Sequence, residues 1–213
     1  MNHDLKEPGL RAVRYWYVDG TSELAFGGLC LLLAVYFYAQ AGLADSWMAG
    51  LLSGLLVLVL IGGGYLVNRL TRALKERLTY PRTGYVSYPR ERGTRRGLRI
   101  ALTFAASALI AGLLGLFVAG RPNGFELMPG VTGLIFGAVI ALIGYRTALP
   151  RFYLLAALSL VFGAGLSVSG LSEGLELAAF YGALSLVLFT FGGVTLWRYL
   201  RHNPAPAEAP DGH

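Results

Sequence analysis

Charge is what this sequence has least of. Only 14% of its 213 residues are Asp, Glu, Lys or Arg, against about a quarter in an ordinary soluble domain. A chain so poor in charge cannot coat a water-facing surface, which excludes the usual soluble enzyme. Cysteine is nearly absent. Cys30 stands alone, so one chain can form neither an internal disulfide nor a cysteine-based metal site. Histidine is confined to His3, His202 and His213 in the tails. No P-loop, zincin helix or Gly-x-Ser-x-Gly turn is present. Before Tyr17 there is no apolar run followed by a small-residue cleavage site, so no cleavable signal peptide is expected. These absences predict no catalytic residue, no cofactor and no metal.

Apolar residues fill the space that charge leaves. They make up 55% of the chain, and the mean hydropathy is +0.56. The 29 glycines are about twice average usage, which suits closely packed membrane helices. Six stretches approach the roughly 20 apolar residues that cross a hydrocarbon core: Leu24–Leu43, Trp47–Val67, Ile100–Ala119, Leu127–Tyr145, Phe152–Leu171 and Leu177–Trp197. The expected fold is an all-α integral membrane protein. Its six transmembrane helices form three helical hairpins with short outer turns. Residues 1–23 are an interfacial segment, 24–197 the transmembrane domain, and 198–213 a disordered cytoplasmic tail carrying three prolines.

The middle of every span lacks Asp, Glu, His and Lys, which argues against a proton relay or a carboxylate ion site. The polar groups there are hydroxyls, including Ser53, Thr103, Ser107, Ser167, Ser185 and Thr190. Glu173 and Glu176 sit three apart in the last outer turn. Paired acids can do acid–base work or hold a cation, but a solvated loop beside a helix start is the commoner reason for them.

Basic residues are segregated. Seventeen of the 18 Lys and Arg fall on one side of the six-span scheme, and Arg121 alone falls on the other. The positive-inside rule then places both termini in the cytoplasm. Spans two, four and six each end in small residues, an aromatic and an Arg; spans four and six align Gly130 with Gly182 and Tyr145 with Trp197. A hairpin repeat would produce this, and so would interfacial anchors with snorkelling arginines. Gly50 and Gly54, Gly133 and Gly137, and Ser159 and Gly163 have the four-residue spacing that lets helices approach. Gly62, Gly63 and Gly64 predict a bend or a tight crossing in span two.

The cytoplasmic side carries the unusual sequence. Asp19 is placed to cap span one, and Glu23 falls in its first turn. Alternatively both acids pair with arginines and clamp the cytoplasmic loop. The segment 68–99 has ten basic residues against Glu76 and Glu91. Leu70, Leu74 and Leu78 predict that span two continues as an amphipathic helix or turns to lie on the membrane surface. Pro81 and Gly84 then suit a turn between extended stretches holding Tyr80, Tyr85 and Tyr88, so a short β-hairpin is expected. Tyr80, Arg82, Tyr85, Tyr88, Arg92, Arg95 and Arg96 are the candidate contacts for anionic lipid headgroups or a protein partner, with Pro81 and Gly84 shaping the turn. The position beside the membrane favours lipid over nucleic acid.

Arg14-Tyr-Trp-Tyr-Val-Asp-Gly20 and Leu74-Lys-Glu-Arg-Leu-Thr-Tyr-Pro-Arg-Thr-Gly-Tyr-Val86 resemble motifs of a group of bacterial multi-pass membrane proteins with no assigned activity. The two motifs cover roughly the first 90 residues. It implies a bacterial inner-membrane location and nothing about chemistry. The leading expectation is a non-enzymatic regulatory or accessory membrane protein whose basic-aromatic loop docks lipid or a partner. The alternative is a small oligomeric transporter or channel lined by Gly and hydroxyls.

Overall fold

The computed structural model of the chain describes residues 16–43, 46–80, 120 and 124–204. All regular structure among them is helical, and five helices are long and apolar enough to cross a membrane. These are α1 (Thr21–Gly42), α2 (Met48–Leu74), α3 (Met128–Thr147), α4 (Pro150–Ser167) and α5 (Glu173–His202). A π-helical turn, Lys75–Thr79, prolongs α2. The expected span Ile100–Ala119 lies outside the described residues. Pro129 and Pro150 stand in the first turns of α3 and α4, where a missing N–H costs nothing. Leu55, Leu58, Ile61, Val161 and Leu186 are exposed. In water such an apolar surface would invite aggregation, whereas hydrocarbon accepts it.

The closest packing joins α1 to α5 and α3 to α4. The α1–α5 seam follows a seven-residue rhythm. Gly20, Gly27, Ala34 and Ala41 of α1 and its entry meet Gly192, Leu188, Gly182 and Gly174 of α5 in antiparallel order. Ser185 Oγ donates to the Gly27 carbonyl at 2.9 Å across this seam. Small residues at that period bring two backbones together over several turns. Between α3 and α4, Gly133 and Gly163 meet backbone to backbone. Ser159 Oγ donates to the Gly133 carbonyl at 3.1 Å, and Ser167 Oγ accepts from Gly130 N–H at 2.8 Å. These hydroxyls and glycines knit helices together.

Gly50 and Gly54 do not share that role: both are exposed, and a Cβ on either would meet no atom within 4 Å. The helix runs unbroken through the triple glycine. Only Gly63 is buried, with Leu29 of α1 in the path of any Cβ; Gly62 and Gly64 are open. Tyr36 Oη ties α1 to α2 by donating to the Leu52 carbonyl at 3.0 Å.

Other expectations need correcting. Residues 198–202 continue α5 and are not tail; 205–213 lie outside the described residues. Glu176 is buried, not in a solvated loop. α5 begins at Glu173, and Gly174 seats its first turn against Ala41, which draws Glu176 into the bundle. Tyr80 is helical at φ −63°, ψ −37°, because the π turn carries the helix into the stretch expected to be extended. The rest of the expected β-hairpin lies outside the described residues.

The start of α1, the end of α2 and the start of α4 are joined by ion pairs, and the end of α5 packs on the entry to α1. This end holds Arg69, Arg72, Lys75, Arg77, Arg146, Arg151, Arg198 and Arg201. At the opposite end, the described residues include Glu126, Glu173 and Glu176 and neither Lys nor Arg.

Candidate functional site

The entry to α1 is the hub of the basic end. Gly20 adopts φ 78°, a left-handed conformation that only glycine takes without strain. A Cβ there would lie 2.5 Å from the Gly192 carbonyl oxygen, so this turn is pressed onto α5. Asp19, just before it, is buried with every carboxylate oxygen engaged. Oδ1 accepts from the Thr21 N–H at 3.2 Å and the Thr21 hydroxyl at 2.8 Å. Oδ2 accepts from Lys75 Nζ at 2.6 Å and from the Thr79 hydroxyl at 3.1 Å. Gly20 and not Asp19 occupies the N-cap, which has no side-chain cap bond; Asp19, one residue earlier, holds Thr21 and also binds the end of α2. Its cation is a lysine, and not one of the arginines.

Lys75 is 1% exposed, an environment a lysine tolerates only when paired. Its ammonium lies 5.1 Å from the centre of the Trp16 ring, within cation–π reach. The buried stripe is Thr71, Lys75 and Thr79, one residue on from the leucines that mark the amphipathic pattern. Leu70 is exposed instead. The π turn occupies the place where this stripe reaches Asp19, and such turns gather at functional sites.

A second ion pair lies one helical turn along α1. Glu23 Oε1 is 2.6 Å from Arg151 Nη2, and the same guanidinium donates to the Tyr17 carbonyl. Arg151 also lies over the Phe152 ring, and Tyr17 meets that ring edge-on. Burial, and then the Glu23 charge, push the Tyr17 phenol above its ordinary value of 10, so it stays neutral. α1 is therefore fastened to α2 by Asp19 and to α4 by Glu23.

Two hollows flank this hub. A cavity of about 480 Å³ lies inside it, between α1, α2 and α3. A cleft of about 590 Å³ lies outside it, between α4 and α5, with Arg151, Arg198 and His202 in its wall. Among the described residues no group of three or more His, Cys, Asp or Glu is placed to hold a metal ion. Of the expected contact residues, Tyr80 is half-buried at the end of the π turn. Arg82, Tyr85, Tyr88, Arg92, Arg95 and Arg96, with Pro81 and Gly84, lie outside the described residues. In comparisons with known proteins, no family model, no curated protein and no solved structure matches this chain.

Proposed function

We propose that this chain is a bacterial inner-membrane protein of six spans, arranged as three sequential hairpins with Ile100–Ala119 the third span. Both termini lie in the cytoplasm. It works without catalysis, as a regulatory or accessory protein whose basic cytoplasmic face docks anionic lipid headgroups. The observation that carries this reading is the collection of the described Lys and Arg side chains at one end of the bundle. Helix length adds support. α2 has 27 residues and its π turn five more, about 48 Å of helix against a hydrocarbon core of about 30 Å. Arg69, Arg72 and Arg77 are exposed on the part that overhangs. There each cation contributes about 1 kcal/mol toward an anionic surface. Tyr65, Tyr145 and Trp197, exposed near the same end, suit the headgroup layer.

Orientation is read by single cysteines in a Cys30→Ser background. Cysteines replacing Ser46 or Ser172 should react with an impermeant thiol reagent applied to intact cells, and one replacing Thr94 should not. Labelling at Thr94 would reverse the orientation.

Docking is read on purified full-length protein, delipidated and titrated with phosphatidylglycerol or phosphatidylcholine. Retention of phosphatidylglycerol should be stronger and should fall with salt. Replacing Arg82, Arg92, Arg95 and Arg96 together by Gln should remove most of the preference. Equal retention of the two lipids defeats the lipid reading, and a protein recovered with the parent but not with the Gln variant would replace lipid by a protein partner.

A further inference from the structure

The cavity of about 480 Å³ between α1, α2 and α3 has the size of a small-molecule site, typically about 300–1000 Å³. Its wall is apolar, with Phe26, Phe136, Ile140, Phe152 and Leu155 among its residues. Gly64 faces it from α2, where an added Cβ would meet nothing within 4 Å. Ile135 and Val139 line it from α3 and are also exposed outside, so it opens on the apolar flank of the bundle. One polar group stands out in its wall. Glu23 is 3% exposed. Arg151 faces its Oε1, while Oε2 has no hydrogen-bond partner. A buried acceptor left without a donor costs about 1–3 kcal/mol, and more when it is charged.

We propose that this cavity binds a neutral amphiphile, with its apolar body among the phenylalanines and a hydroxyl head donating to Glu23 Oε2. The chemistry of the head follows from charge. Glu23 and Arg151 already neutralise each other, so an ammonium head would enter an apolar cavity with no counter-charge left for it. A carboxylate or phosphate head would face Glu23 directly. A hydroxyl adds no net charge and supplies the missing donor. The exposed Ile135–Val139 edge gives an apolar molecule a way in from the bilayer. This site is separate from the basic face, and it stands or falls without it.

The test uses full-length protein in phosphatidylcholine nanodiscs, with Trp47 and Trp197 replaced by Phe so that Trp16, in the cavity wall, reports alone. The probes are 2-bromo-undecanol, 2-bromo-undecanoate and 2-bromo-undecyl-trimethylammonium, whose bromine beside the head quenches tryptophan at close range. The alcohol should quench saturably, at about tenfold lower concentration than either charged analogue. Glu23→Gln should erase most of that preference. Gly64→Leu, which fills the cavity and leaves the ion pair alone, should abolish saturable quenching at an unchanged melting temperature. Strongest quenching by the ammonium, equal quenching by all three, or saturable quenching that survives Gly64→Leu overturns the proposal. So does an absence of saturable quenching, and a disulfide between cysteines placed at Val139 and Ser107 would then show the chain's own third span in that space.

Discussion

Lys75→Met is expected to lower the stability of the purified protein by about 3–5 kcal/mol, the usual cost of removing one partner from a buried ion pair. The loss comes from what remains. Asp19 is 1% exposed, and of its four bonds two are to Thr21, one to Thr79 and one to Lys75. The hydroxyls and the amide carry no charge to offset the carboxylate. Desolvated and unpaired, it must draw in water at the expense of the packing around it. The double variant Asp19→Leu with Lys75→Leu should recover much of the loss, because exchanging a whole buried pair for apolar side chains is often neutral. Denaturant unfolding of all variants in one detergent reads the comparison. A single variant as stable as the parent would mean that water reaches Asp19 and that the pair does not fasten α2 to α1.

Gly163→Leu should be as damaging, by about 3 kcal/mol or more, through shape and not charge. A Cβ at this position would lie 2.7 Å from the Pro129 carbonyl oxygen and 2.9 Å from the Gly133 Cα. Both obstacles are backbone, so no side chain can swing aside, and α3 and α4 must separate. That separation also breaks the Ser159 and Ser167 bonds between the two helices. Gly165→Leu on the same helix is the control: its Cβ would meet nothing within 4 Å, and its stability should stay at the parent value. Equal melting temperatures for the two leucine variants would refute the close crossing.

The apolar runs were readable because spanning length and hydropathy are properties of the segment alone. Five of them stand as helices within a few residues of the expected bounds at most ends, although α2 and α5 run further at the basic end. The choice of inward face was harder. Between Arg69 and Tyr80 the sequence holds two stripes of period four, Leu70-Leu74-Leu78 and Thr71-Lys75-Thr79. In water the leucines would turn inward. At the membrane boundary a leucine can lie against lipid and gains little from burial, whereas a lysine or threonine gains a partner, and it is the polar stripe that is buried. Gly20, Gly27, Ala34 and Ala41 stand seven apart in the sequence, but only the partner helix shows that this spacing makes a seam. Arg151 reads in the sequence as one more cytoplasmic charge, since nothing local to it points to Glu23, 128 positions earlier in the chain. The hub at Asp19 and Glu23 is a product of tertiary distance, and its arginine and lysine could be named only once the helices were in place.

The seam between the first and last described helices has a consequence for synthesis. α5 begins about 130 residues after α1 ends, so at about 5–20 residues per second the ribosome makes α1 wait roughly 7 to 26 seconds for it. Throughout that interval the small-residue flank of α1 has no mate, and Glu23 reaches the membrane before Arg151 has been translated. The nascent chain must shelter a carboxylate near the lipid boundary until α4 arrives, and α1 can close onto α5 only after that.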